Sequence, residues 1–184
     1  MKVSPTGAWL SPGGHTFDPS MARAIVNVLT LCNVNSVIDI GCGDGSYTYF
    51  LSGAGLVCVG YDGNPHTFTV TNGLCFHADF SEPQYLGMHD AALCLEVGEH
   101  IPEQYETIFL DNICRHAEKV IVLSWAVPGQ GGVGHVNERS NEYVIGRLAD
   151  CGWKHDAQLS QELRDAASTC YWFDETVMVF TYGN

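Results

Sequence analysis

Val37-Ile38-Asp39-Ile40-Gly41-Cys42-Gly43-Asp44-Gly45 is the stretch on which the fold turns. Its apolar, β-branched beginning reads as a buried strand over 36–40. Glycines at every second position follow, letting the backbone turn sharply and approach a ligand closely. A helix through about Ser52 is expected to start directly afterwards, so strand, turn and helix N-terminus meet at one point.

Outward from this stretch, short apolar runs alternate with helical spacing. Residues 1–17 are rich in Gly, Pro and Ser and read as loop. Asp18 or Ser20 then caps a helix to about Leu31, with Met21, Ala24, Ile25, Val28 and Leu29 on one face. Further strands are predicted over 56–61 (ending at Asp62), 74–76, 91–95, 120–124 and 176–182, with a weak one near Trp153. Helices are predicted after Pro65, from Pro102 to about Ala117, over 141–149 and near 161–167. Residues 125–139 form a long glycine-rich loop. This alternation predicts an α/β protein with a parallel sheet wrapped by helices. Neither repeats nor linkers interrupt it, so 1–184 is expected to be one domain, with 36–182 as its core.

The 184 residues are 46% apolar and 16% charged, a globular composition. Acids outnumber bases 21 to 8, for a net charge of −13, which argues against a long duplex groove. A short RNA end or a small molecule fits that charge better. The first ten residues hold one Lys and no apolar core, so no signal peptide is expected. No apolar run nears the roughly 20 residues of a membrane span. Eight dispersed cysteines without a C-x-x-C pair read as reduced thiols, and a cytoplasmic location is the expectation.

The acids around the glycines are informative. Asp39 inside the strand and Asp44 in the turn suit a cationic ligand better than a pyrophosphate. Asp62 ends the second strand, where an acid accepts both hydroxyls of a ribose. Asp79 follows the third, with Phe80 beside it for a base amine and ring. The plainer alternative is a tight turn with Asp62 and Asp79 as surface caps.

Together these residues resemble class I S-adenosylmethionine-dependent methyltransferases, and the likeness runs from Ser36 to Phe180. The resemblance implies a Rossmann-like, seven-stranded, mostly parallel sheet with helices on both faces. Its antiparallel last strand, 176–182, would insert beside the fifth. It also implies S-adenosylmethionine as cofactor. Asp39, Gly41, Gly43 and Asp44 would hold the methionine part, Asp62 and Gly63 the ribose, and Asp79 and Phe80 the adenine. Glu96 would face the cofactor from the fourth strand, and residues 1–33 would form a lid and the first helix.

Leu95-Glu96-Val97-Gly98-Glu99-His100-Ile101-Pro102 follows that fourth strand. If a helical turn starts after Glu96, residues three and four apart share a face, so Glu96, Glu99 and His100 converge. Two carboxylates and an imidazole suit Mg²⁺ or Mn²⁺. His135, in the loop after strand five, is a candidate fourth ligand. This E-x-x-E-H element with a later His resembles two groups: small-RNA 3′-end 2′-O-methyltransferases and ubiquinone-pathway catechol O-methyltransferases. The resemblance implies a divalent metal on Glu96, Glu99, His100 and His135, with Glu99, His100 and His135 serving catalysis. The loop around His135 departs from the RNA group's motif. Without metal, Glu96 and Glu99 would be a solvated helix start and His100 a cap or general base.

The expected function is metal-assisted O-methylation of a small diol- or catechol-like acceptor. An RNA methyltransferase, at a terminal ribose 2′-O or a cap, is the alternative; it requires Arg115, Lys119, Arg139, Arg147 and Lys154 to line up beside the site. A non-catalytic cofactor-binding partner and a nicotinamide-binding dehydrogenase are further rivals. Trp125 is expected either to wall the acceptor pocket or to sit in the core. Tyr171-Trp172-Phe173 is expected to close the core, His116 to be structural and His15 to be a solvated loop residue.

Overall fold

The computed structural model describes residues 2–11 and 13–183. Pro12, within the predicted N-terminal loop, and the end residues Met1 and Asn184 lie outside the described residues. Seven strands form one sheet: β1 (Ser36–Ile40), β2 (Val57–Asp62), β3 (Cys75–His77), β4 (His89–Cys94), β5 (Ala117–Ser124), β6 (Trp153–His155) and β7 (Val177–Tyr182). Their spatial order is β3-β2-β1-β4-β5-β7-β6. The first five are parallel, and β7 is antiparallel to both its neighbours, as the resemblance implied. The order reverses between β1 and β4, and the crevice at such a switch point is where open α/β sheets bind ligands.

The helices are α1 (Pro19–Leu31), α2 (Ser46–Gly53), α3 (Thr67–Val70), α4 (Glu106–His116), α5 (Asn141–Asp150), α6 (Ala157–Ala166) and α7 (Phe173–Thr176). Period-two alternation sorts the strand side chains between two cores. Ile38, Ala92, Cys94, Ile121, Leu123, Met178 and Phe180 pack with α4 and α5. Val37, Ala91, Leu93, Val120, Val122, Val177 and Val179 face the other way, onto α1, α2 and α6. A central strand buried on both faces has to be a continuous apolar run, as β5 is over Val120–Leu123 and β7 over Val177–Phe180. Each fully buried Val, Ile, Leu or Phe contributes about 2 kcal/mol.

Several element boundaries differ from expectation: β4 (His89–Cys94) and α6 (Ala157–Ala166) start two and four residues early, and two further shifts lie around α4. Pro102 opens a 3₁₀ turn, Glu103–Tyr105, and α4 begins only at Glu106, because Pro102 is extended (ψ 140°). β5 then starts at Ala117 with no linker after α4, three residues before the predicted strand. Of the two candidate caps, Asp18 caps α1: its Oδ1 accepts from the Ser20 and Met21 amides. All eight cysteines are free thiols. Among the described residues no helix is long and apolar enough to cross a membrane.

Candidate active site

The turn after β1 is fastened to β2. The Gly41 and Cys42 amides both donate to the Tyr61 carbonyl, at 2.8 and 3.0 Å, and Gly43 N donates to Asp62 Oδ2 at 3.0 Å. Gly41 (φ 76°) and Gly43 (φ 56°) are left-handed, and a Cβ on either would strike Val97 or the His15 ring. Only glycine suits these positions. Asp62 Oδ1 also accepts from Asn64 N at 2.8 Å, so the carboxylate is fixed at the end of β2. Asp79 accepts from Ser81 N and Oγ, at 2.9 and 2.7 Å. Asp39 lies beneath the turn with one hydrogen bond, from Thr48 Oγ1 at 2.6 Å. Burial, helped by Asp62 and Asp44, pushes its carboxyl up to about 7.

These groups line one cavity of about 350 Å³, together with Asp44, Gly63, Phe80 and Glu96. Its volume is in the range of small-molecule sites. Phe80 both borders the cavity and packs in the core.

The stretch after β4 is built differently from the predicted helical turn. Glu96 itself is left-handed (φ 54°), and only a 3₁₀ turn, Gly98–His100, follows. Such a conformation costs a non-glycine residue about 1–2 kcal/mol. Ser124 Oγ holds it by accepting from Glu96 N at 2.8 Å. The Glu96 carboxylate accepts from Gln130 Nε2 at 2.9 Å and Thr176 Oγ1 at 3.3 Å. It therefore stands outside the tight cluster formed by Glu99, His100 and His135, whose ligand atoms lie within 4.8 Å of one another.

Glu99 is fully buried and neither carboxylate oxygen has a hydrogen-bond partner. Burial, with the Glu96 charge adding to it, drives its carboxyl well above the ordinary range. Two imidazoles face it. His100 Nδ1 lies 3.2 Å from the Gly134 carbonyl and donates to it, leaving Nε2 without a proton when the ring is neutral. Burial keeps it neutral by pushing its pKa down to about 4. His135 Nδ1 lies 3.0 Å from Glu138 Oε1, and its Nε2 is 4.0 Å from Glu99 Oε1. The 125–139 loop reaches this place because the Val136 and Asn137 amides both donate to the Glu99 carbonyl, at 2.9 and 3.0 Å.

The N-terminal segment crosses the same strand ends. Val3 and Trp9 form an antiparallel bridge, and the Trp9 ring packs between His15 and His100 at 5.4 and 5.1 Å. Gly7 lies against the His100 backbone and Ala8 against Gly63, so close that a side chain on either glycine would collide. Trp125 takes the core reading: it is 1% exposed, donates from Nε1 to the Asn137 carbonyl and fills the space over Gly98. Tyr171, Trp172 and Phe173 all border the cavity, and only Phe173 is buried in the core. His116 is structural, with Nδ1 on the Asn112 carbonyl and Nε2 accepting from Leu86 N.

The sequence reading missed Gln130, Thr176 and Glu138. Gln130 and Thr176 carry no local signal, since they meet Glu96 only through the fold. Glu138 sits three residues after His135, a spacing that would have pointed to it. The basic residues do not gather at the cavity. Arg139 pairs with Glu103 and Glu106, Arg147 with Glu106, and Lys119 with Asp90 at the opposite end of the strands. Arg115 lies over Tyr85, and exposed Lys154 is on the edge strand β6.

No protein-family model matches the chain, and no curated protein matches its sequence. Solved structures do match. A sugar N-methyltransferase from Streptoalloteichus sp ATCC 53650 superposes with a TM-score of 0.72 at 15% identity, covering 100% of this chain and 99% of that one. Magnesium protoporphyrin IX methyltransferase from Synechocystis PCC 6803, with S-adenosylhomocysteine bound, gives 0.67 at 17% identity, covering 93% and 90%. The methyltransferase domain of bacterial CtHen1-C gives 0.64 at 17% identity, covering 91% and 100%. At such identities the likeness is one of architecture: the chain has the fold of S-adenosylmethionine-dependent methyltransferases, along the whole of its length.

Proposed function

We propose that the chain is an S-adenosylmethionine-dependent methyltransferase that methylates an oxygen of a small diol- or catechol-like acceptor with the help of Mg²⁺ or Mn²⁺. The observation that carries the cofactor reading is one cavity, at the β1/β4 switch point, bordered by the glycine turn, Asp39, Asp62 and Asp79. A sulfonium cation with a ribose and an adenine matches acids spaced over three strand ends. In this reading Asp39, Gly41, Gly43, Asp44 and Glu96 face the methionine end. Asp62 with Gly63 takes the ribose, and Asp79 with Phe80 the adenine.

The cation reading rests on Glu99. A buried carboxyl with two orphaned oxygens either keeps its proton or is met by something positive. Two imidazoles turned toward it complete a donor set of the right chemistry, so Glu99, His100 and His135 fit a divalent cation, with Glu96 beside them. A cation, when bound, supplies a Lewis acid that lowers the pKa of an acceptor hydroxyl. The chain's own residues position and deprotonate. Nε2 is the free nitrogen of both His100 and His135, so holding the cation would occupy it, and either ring would accept the hydroxyl proton there only with no cation bound, while Trp9 and the N-terminal segment cover the strand ends against water.

A small acceptor is favoured over RNA because the cavity lining contains six carboxylates and, among the described residues, neither Lys nor Arg. Calorimetric titration tests the reading. S-adenosylmethionine should bind and NAD should not, and Asp62→Ala should weaken the cofactor about tenfold or more by removing a charge-assisted contact. Undiminished affinity in Asp62→Ala, or preference for NAD, overturns it. A screen of diols and catechols for S-adenosylhomocysteine release, with and without Mn²⁺ and chelator, then tests the acceptor and the metal.

A further inference from the structure

We propose that Glu138 is a positioning residue that sets His135 for cation binding and makes its imidazole a stronger ligand. This rests on the cation reading above. Three observations place it there. His135 Nδ1 donates to Glu138 Oε1 at 3.0 Å, which fixes the tautomer and leaves Nε2 directed at Glu99. Glu138 is itself pinned: Oε1 accepts from Gly131 N at 2.8 Å and Oε2 from Gly129 N at 2.7 Å. Both its oxygens are therefore engaged by the loop that carries His135, and the ring cannot turn without breaking that arrangement. Gly132 reinforces this, because a Cβ there would strike the His135 ring.

A carboxylate on the outer nitrogen of an imidazole orients the ring and raises the basicity of the inner nitrogen, and its loss typically weakens a metal site 10–100-fold. His100 is oriented by a neutral backbone carbonyl instead. The two histidines would therefore differ in donor strength, with His135 the stronger. Gln cannot stand in for Glu138. Its amide would set an NH₂ against the Gly129 amide, or against Gly131 N–H and the His135 Nδ1–H together, where an acceptor is required.

The test is Mn²⁺ binding to the full chain, read from loss of the free-ion paramagnetic resonance signal and by calorimetry. Wild type, Glu138→Gln, His135→Ala and the double variant are compared, with S-adenosylhomocysteine affinity measured alongside. The expected result is Mn²⁺ binding about 10–100-fold weaker in Glu138→Gln with unchanged S-adenosylhomocysteine affinity. In the His135→Ala background Glu138→Gln should cause no further loss, because a residue acting only through His135 has nothing left to act on. Equal Mn²⁺ affinity in wild type and Glu138→Gln overturns the proposal alone. So does a full additional loss in the double variant, which marks a general role in loop folding. If wild type binds no Mn²⁺, the cation reading falls and this proposal falls with it. Cofactor binding by the same samples still stands or fails separately.

Discussion

Asp39 stands on β1 with Thr48 Oγ1 as its hydrogen-bond partner, and burial holds its carboxyl near 7. Unfolded, the same group titrates near 3.9. The native state therefore binds the extra proton between those values, and stability falls as pH rises from about 4 to about 7. Asn accepts the same Thr48 hydroxyl without a charge. Asp39→Asn should consequently be more stable than wild type at pH 8, by on the order of 4 kcal/mol at most, with the gain fading toward pH 4. Urea titrations at the two pH values check this. The same variant should bind S-adenosylmethionine more weakly if, as proposed above, the acid faces the sulfonium cation. A stability gain with intact cofactor affinity would mean that Asp39 does not face the cofactor's cation. Glu96 shows the same tension in its backbone, where a left-handed glutamate is retained next to the cavity.

At the scale of elements, Asp18 joins two that are distant in sequence. Besides capping α1, it accepts from the Ser168, Thr169 and Cys170 amides, directly before the Tyr171–Phe173 wall of the cavity. Burial by itself would raise this carboxyl, but the amides of Ser168, Cys170, Met21 and Thr169 outweigh it and hold it far below the usual range. A depressed acid contributes stability above its unfolded pKa and loses it as pH falls below about 4. Asp18→Asn should cost about 3 kcal/mol at pH 7, because several charge-assisted bonds are lost. The difference from wild type should shrink between pH 5 and pH 2. A constant difference would assign the cost to packing rather than charge. The identities of the elements were legible in the chain because each answers to local rules. Apolar runs bounded by glycine made the strands, and Asp18 marked a helix start. The boundaries at Pro102 and Ala117 were not legible, since they depend on where the sheet takes the backbone's hydrogen bonds.

Across the whole molecule, charge decides what can enter. The net charge of −13 and the acid-lined cavity act in the same direction, and Arg139 and Arg147 are neutralised by Glu103 and Glu106. A phosphorylated acceptor should therefore have a KM at least ~10-fold above that of its neutral diol. Steady-state kinetics on such a pair checks this, and a lower KM for the phosphate would reopen the RNA reading.

The sequence alone determined the strand–turn–helix at Gly41–Gly45 and the acids at successive strand ends, because period-two burial, glycine's left-handed freedom and the need to bury apolar runs act over a few residues, whereas the reversal of the last strand was implied only by the family resemblance. Only the tertiary structure decided that Glu96 turns to Gln130 and Thr176, that Trp125 is core, and that Glu99, His100 and His135 meet with Glu138 behind them. The contacts of Glu96 with Gln130 and Thr176, and of Glu99 and His100 with His135, join residues 34 to 80 positions apart. No local preference specifies them, and they exist because the sheet brings its strand ends to one crevice.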